Sequence, residues 1–142
     1  MASIWPTEEQ LKTLGNFDEN QPITMLNLLA YRDTADYSDH PNEVACSGKQ
    51  AYERYSNAVS PLLEVHGAKI VFMGTASPTI IGPDSEQWDD VLLVEYPTPK
   101  AFVAMATSEA YRALSHHRSA ALRDSRLVPI SAGRLAFQST QA

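Results

Sequence analysis

Alternating and continuous runs of apolar residues predict the central strands of the chain. Residues 23–29 (Ile-Thr-Met-Leu-Asn-Leu-Leu) are nearly all apolar and follow Pro22, which is typical of a strand covered on both faces. Residues 68–77 and 88–96 are rich in β-formers and are separated by a turn signal at residues 82–85. These two segments are therefore expected to pair as an antiparallel hairpin.

Helical periodicity predicts two long helices between these strands. Ser47 can cap a helix over residues 48–66, because apolar side chains recur on one face at three- and four-residue intervals. Pro99 opens a second helix at a position where proline is tolerated, and Ser108 caps its continuation to about residue 123. The strands and helices thus alternate in a defined order.

A last strand is expected at residues 126–130, with a resumption at residues 134–137, and a Thr-x-x-Gln capping box at Thr7 predicts a short amino-terminal helix. The resulting βαββαβ order predicts an α+β, ferredoxin-like domain with a four-stranded antiparallel sheet. The predicted organisation is an amino-terminal helical extension (1–21), the ferredoxin-like α+β domain (22–130) and a carboxy-terminal strand or tail (131–142).

One face of this predicted sheet has no cover within the chain. In a ferredoxin-like fold the helices pack on a single face, yet the first and third strands are apolar on both faces. A second copy of the chain is the simplest cover, so a homodimer is expected.

Composition narrows the function classes. The 142 residues are 44% hydrophobic and 20% charged, with 11 basic and 17 acidic residues and a net charge of −6, which argues against nucleic-acid binding. No apolar stretch is long enough to span a bilayer, so no membrane partner is expected. The single cysteine and the absence of a signal-peptide pattern lead us to expect a cytoplasmic protein.

Familiar catalytic motifs and metal sites are not predicted. The sequence contains no phosphate-binding loop, dinucleotide fingerprint, serine-hydrolase elbow or Cys-x-x-Cys. His116 and His117 are neighbours on a helix and should project about 100° apart, so they are not expected to share a metal. The polar segment 30–46, with Asp36 and His40, matches no calcium loop and is expected to run over the surface.

Two polar residues interrupt apolar rows of the predicted strands. Asn27 shares a strand face with Met25 and Leu29, and Glu95 shares one with Leu93. A carboxyl group buried in such a row would have a raised pKa and could transfer protons. Equally, Glu95 could lie in water near the end of its strand.

The last helix places a guanidinium on its apolar stripe. Arg118 follows Tyr111 on that stripe and cannot lose its charge, so it needs a carboxylate or an anionic ligand nearby. Glu95 and Asp124 are the candidate protein partners. Tyr111, like Tyr52 on the first long helix, is either a core residue with a wet hydroxyl or a hydrogen-bond donor to a ligand.

Four segments of the chain carry a resemblance to one family. They are Met-Leu-Asn-Leu-Leu at 25–29, Gly-Lys-Gln-Ala-Tyr-Glu-Arg-Tyr at 48–55, the stretch from Trp-Asp to Val-Glu-Tyr-Pro at 88–97, and the stretch from Tyr111 to Leu127. This pattern, which covers roughly residues 22–130, resembles the uncharacterised family numbered 1330 among domains of unknown function. The resemblance implies a dimeric α+β barrel, in which two ferredoxin-like sheets close face to face.

The same superfamily includes cofactor-independent monooxygenases, muconolactone-type isomerases and haem enzymes, so the resemblance does not select a chemistry. We expect a small-molecule-binding protein without a cofactor, an oxygenase or isomerase acting on a small organic substrate whose anionic group Arg118 would orient. Glu95 or His117 would move a proton, and the substrate would be bound by Asn27, Tyr52, Tyr111 and Arg118. The alternative is a non-catalytic homodimeric binding or structural module.

Overall fold

The predicted strands and helices are present in a computed structural model of the chain, which describes residues 2–132. Both long helices form, and the second is divided into α3 and α4 at Thr107 and Ser108. The elements are α1 (Glu8–Lys12), a 3₁₀ turn (Thr13–Asn16), β1 (Ile23–Tyr31), α2 (Gly48–Val65), β2 (Lys69–Thr75), β3 (Asp90–Tyr96), α3 (Pro99–Ala106), α4 (Glu109–Ala121) and β4 (Leu122–Ile130). The predicted strand at 134–137 lies outside the described residues.

The α+β, ferredoxin-like fold is confirmed by the sheet. Its strand order is β2-β3-β1-β4, and all neighbouring strands are antiparallel. Met25 of β1 pairs with Val94 of β3 on the face that packs against the helices, where Met25 is 2% exposed. Because side chains alternate, Leu26 lies on the opposite face beside Leu93 and Val128. We call this opposite side the open face.

The amino-terminal extension packs onto the domain. The predicted capping box is present, with Thr7 Oγ1 accepting from the Gln10 backbone N–H and the Gln10 side chain accepting from Thr7. Leu14 in the following turn belongs to the hydrophobic core. The extension therefore contributes to the helical side of the sheet.

The segment between β1 and α2 (residues 32–47, the β1–α2 loop) also packs more closely than its composition indicates. The Arg32 N–H donates to the Ala121 carbonyl oxygen and the Asp36 N–H to the Ala120 carbonyl oxygen, both at 2.9 Å. Tyr37 is 9% exposed and lies in the core. The segment is the predicted loop, but the expectation that it runs over the surface is wrong in part, because Tyr37 and these two backbone hydrogen bonds anchor it to α4.

Apolar side chains remain exposed on the open face and on the edge strand β2. Phe72, Val128 and Ile130 are 55%, 45% and 41% exposed. Exposed apolar patches on folded proteins are often interaction surfaces. None of the helices within residues 2–132 is long and apolar enough to cross a membrane.

Gly48 begins α2 at a point where three backbone segments meet. Its N–H donates to the Arg32 carbonyl oxygen at 3.1 Å. A Cβ added at Gly48 would overlap that same oxygen and would lie 2.7 Å from the Ala121 carbonyl oxygen. Since both contacts are to backbone atoms, the neighbours cannot yield by rotating a side chain.

We therefore expect Gly48→Ala to reduce the free energy of unfolding by about 3 kcal/mol, measured by urea denaturation. Gly15→Ala is the matched control, because a Cβ at Gly15 meets nothing within 4 Å. Equal stability of the two variants would contradict the close approach of the loop, α2 and α4 at this position.

Candidate functional site

A cavity of about 790 Å³ lies between the helix-facing side of the sheet and the helices. All four predicted substrate-binding residues line it: Asn27 from β1, Tyr52 from α2, and Tyr111 and Arg118 from α4. Its walls also include Met25 of β1 and apolar side chains of α3 such as Phe102 and Met105. The structure thus brings together a guanidinium, two phenols and an amide inside a largely apolar space.

Arg118 is the buried charge of this cavity, with 7% of its surface exposed. Its Nη1 donates to the Ile4 carbonyl oxygen at 2.6 Å, and its guanidinium lies 5.2 Å from the centre of the Trp5 ring. No carboxylate among residues 2–132 pairs with it. The predicted ion pair with Glu95 or Asp124 is therefore wrong.

The two expected carboxylates have other partners. Glu95 Oε1 lies 3.5 Å from Lys69 Nζ. Asp124 Oδ1 lies 2.8 Å from Arg126 Nη1 and also accepts the Ser3 backbone N–H at 2.9 Å. Neither group neutralises Arg118.

The amino-terminal segment covers the Arg118 end of the cavity. Besides Ile4 and Trp5 at the guanidinium, the Trp5 indole N–H donates to Ser119 Oγ at 3.1 Å, and the Ser125 hydroxyl donates to the Ser3 carbonyl oxygen. Nothing in the local pattern of residues 3–5 signals this role, because the contacts join parts of the chain more than 110 residues apart.

Burial holds Tyr52 and Tyr55 of the cavity lining as neutral phenols. Burial raises the pKa of Tyr52 from 10.0 to about 12, although the charge of Arg118 acts in the opposite direction. Burial also raises the pKa of Tyr55, whose hydroxyl lies 2.9 Å from that of Tyr111. At neutral pH the hydroxyls of Tyr52 and Tyr55 can donate or accept hydrogen bonds and carry no charge.

Asn27 contributes an amide to the same face of the sheet. Its Nδ2 donates to the Met25 carbonyl oxygen at 3.2 Å, within its own strand. Asn27 is half-buried and lines the cavity, so its side-chain oxygen is available there. Asn27, the polar residue predicted within an apolar row, therefore places its amide in the wall of the cavity.

Glu95 lies on the open face, away from this cavity. The register pairs it with Thr24 of β1, whereas Asn27 pairs with Leu92, so Asn27 and Glu95 project to opposite sides of the sheet. Its side chain is 35% exposed and borders a separate groove with Thr24 and Ile130. The structure does not bring Glu95 together with Arg118.

His117 lies on a third surface, where α4 meets the β1–α2 loop. Its Nδ1 is 2.7 Å from the Tyr37 hydroxyl, and burial together with His116 lowers its pKa. The rings of His116 and His117 are only 4.1 Å apart, so the expectation that they diverge is wrong. The Cα–Cβ bonds of the two residues point in different directions from the helix, but rotation about the side-chain bonds brings the two ring centres close together.

The sequence profile of the family described as "Domain of unknown function (DUF1330)" matches residues 42–130. The chain belongs to the DUF1330 family. A protein of unknown function from Rhodopseudomonas palustris, known from a crystal structure, is 36% identical in sequence to this chain. The alignment covers 95% of this chain and 100% of the Rhodopseudomonas palustris chain, with a TM-score of 0.85. The resemblance seen in the sequence is thereby confirmed.

More distant solved structures are similar in fold to this DUF1330 chain. A dimeric, ferredoxin-like protein of unknown function from Bacteroides fragilis is 14% identical, with 78% and 96% of the two chains covered and a TM-score of 0.50. A candidate antibiotic biosynthesis monooxygenase from Caulobacter crescentus is 12% identical, with 84% and 96% covered and a TM-score of 0.53. No curated protein matches the chain.

Proposed function

We propose that this DUF1330 protein binds a small organic anion in the cavity between sheet and helices. The observation that carries the proposal is the buried Arg118 guanidinium, which has no carboxylate partner among the described residues. A carbonyl oxygen and an aromatic ring do not neutralise a unit charge. An anionic ligand supplies the missing partner.

The donor count supports this role for Arg118. A guanidinium has five N–H donors, and one hydrogen bond, to Ile4, is made within residues 2–132. No fully buried side-chain nitrogen or oxygen in this part of the chain lacks a partner, so the guanidinium nitrogens that make no hydrogen bond retain accessible surface, and Arg118 lines the cavity. Their planar arrangement matches the two oxygens of a carboxylate.

The other walls define the rest of the ligand. Met25, Phe102 and Met105 offer apolar surface, while Tyr52 and Asn27 offer neutral polar groups at separate points. A volume of about 790 Å³ is within the range of cavities that take drug-sized molecules. We infer a ligand with one acidic head group and a mainly apolar body.

A more specific proposal is that the protein catalyses oxygenation or isomerisation of the bound organic anion. The description of the Caulobacter crescentus structure as a candidate monooxygenase favours that class through the shared fold. Glu95 and His117 lie outside the cavity, so a proton transfer there would use Tyr52, Tyr111 or the substrate itself. A non-catalytic binding module uses the same Arg118 contact and differs only in the absence of turnover.

Matched pairs of carboxylic acids and their primary amides test the anion contact. We expect the acid of the best-binding pair to bind at least about 10-fold more tightly than its amide, because a charged hydrogen bond contributes about 1.5–3 kcal/mol. Arg118→Gln should abolish that preference in isothermal titration calorimetry. Arg112→Gln is the control, since Arg112 is exposed on the same helix and does not line the cavity. Retention of the preference by Arg118→Gln would refute the proposal.

We also propose that two copies of the chain pack through their open faces. The exposed apolar residues Phe72 and Val128 lie on this face, and the ferredoxin-like protein from Bacteroides fragilis is described as dimeric. Packing of two sheets would remove this apolar surface from water. The Glu95–Lys69 pair would then lie at the dimer interface.

Val128→Glu should convert the dimer to a monomer, because each copy would bury an unpaired carboxylate in the apolar interface. Size-exclusion chromatography with light scattering measures the change. Val65→Glu is the matched control: Val65 is 79% exposed at the end of α2 and does not belong to the sheet. A monomeric wild-type protein, or a Val128→Glu variant that stays dimeric, would contradict the interface.

A further inference from the structure

A second cluster of polar groups lies where α4 meets the β1–α2 loop, apart from the cavity. Ligand atoms of Glu43, His116 and His117 lie within 4.8 Å of one another. His116 Nε2 is 3.5 Å from Glu43 Oε1, and the two side chains are 19% and 34% exposed. The loop supplies the carboxylate and α4 supplies both imidazoles.

Neighbouring groups hold these three side chains in place. The Tyr37 hydroxyl lies 2.7 Å from His117 Nδ1, so a His117 protonated at Nδ1 can donate to this oxygen and keep Nε2 free. The ring of His40 stacks on that of His116 at 4.2 Å and 18°. Outer contacts of this kind fix the orientation of histidine ligands in metal sites.

Arg54 orients the carboxylate in a similar way. Its Nη1 lies 3.7 Å from Glu43 Oε2 and donates to the Val44 carbonyl oxygen at 2.9 Å, while its guanidinium lies 5.5 Å from the centre of the Tyr37 ring. The other oxygen, Oε1, is the one nearer His116. Glu43 thus presents one oxygen to the histidines and the other to the arginine.

We propose that Glu43, His116 and His117 form a binding site for Zn²⁺. Two imidazoles and one carboxylate are ligands that Zn²⁺ accepts, whereas Mg²⁺ and Ca²⁺ prefer oxygen atoms alone. Bonds of about 2.0–2.1 Å in a tetrahedral site place neighbouring ligand atoms about 3.4 Å apart. Glu43 Oε1 and His116 Nε2, which lie 3.5 Å apart, already have this spacing. The other pairs of ligand atoms lie within 4.8 Å of each other, so they need to approach by no more than about 1.5 Å.

A bound ion would join the β1–α2 loop to α4. Three protein ligands leave the fourth tetrahedral position to water or to a further ligand. Metal affinity in such a site contributes directly to the stability of the folded state, because the unfolded chain does not hold the three ligands together. Zn²⁺ should therefore stabilise the protein as well as bind to it.

The test uses the full chain without an affinity tag, freed of metal by a chelator and titrated with ZnCl₂ by calorimetry. We expect one ion per chain with a Kd below about 10 µM and a rise in Tm of several degrees. His117→Gln and Glu43→Gln should each weaken binding at least about 10-fold. Wild-type protein that is folded by circular dichroism and binds no Zn²⁺ at millimolar concentration would overturn the site.

His66→Gln is the matched control. The His66 Nδ1–H donates to the Leu62 carbonyl oxygen at 2.9 Å at the end of α2, away from the cluster. The His66→Gln variant should bind Zn²⁺ as tightly as the wild type does. An equal loss of Zn²⁺ affinity in His66→Gln and His117→Gln would contradict a site formed by Glu43, His116 and His117.

Tyr37→Phe keeps the core ring and removes only the hydroxyl that orients His117. It should reduce Zn²⁺ affinity by about 10-fold while the protein stays folded, as expected for an outer contact of a histidine ligand. Co²⁺ in place of Zn²⁺ should give the visible absorption of a tetrahedral nitrogen and oxygen site in the wild type. An octahedral Co²⁺ spectrum would exclude the proposed geometry.

Discussion

An antiparallel sheet has two faces, and the helices of one chain cover only one of them. This constraint decides on which side of the sheet the two strand candidates, Asn27 and Glu95, lie. On β1, Met25 and Asn27 face the helices and border the cavity, while Leu26 between them faces outward. Glu95 of β3 lies on the outward face as well. The cavity and the proposed dimer surface are therefore separate sites on opposite sides of one sheet.

Burial of Arg118 links the fold to the proposed function. The guanidinium lies on the apolar stripe of α4, and the amino-terminal segment closes over it through Ile4 and Trp5. Desolvating a charge is unfavourable unless hydrogen bonds and an opposite charge compensate. The carbonyl of Ile4 and the ring of Trp5 supply part of this compensation, and an acidic ligand would complete it. The other guanidinium of the cavity lining, that of Arg126, is paired with Asp124 and Glu86, so Arg118 is the cation there without a carboxylate partner among residues 2–132.

Local pattern was sufficient for the order of the elements and for the residues of the helix-facing candidate site, but not for the start of β4, which begins at Leu122 and not at residue 126. The period of α4 places Tyr111 and Arg118 on one stripe, and the same argument places Tyr52 on the buried side of α2. Register between strands was not available from local pattern, so the opposite orientations of Asn27 and Glu95 could not be predicted. The contacts of Arg118 with Ile4 and of His117 with Tyr37 join distant parts of the chain, and no periodicity indicates them.

A crystal structure with a brominated carboxylic acid selected from the binding panel tests most directly whether Arg118 binds an anionic ligand. Anomalous scattering locates the bromine, and the electron density locates the carboxylate. We expect the carboxylate within hydrogen-bond distance of the Arg118 guanidinium, between the sheet and the helices. A ligand bound on the open face beside Glu95, or a carboxylate of the protein itself already paired with Arg118, would contradict the proposed anion site.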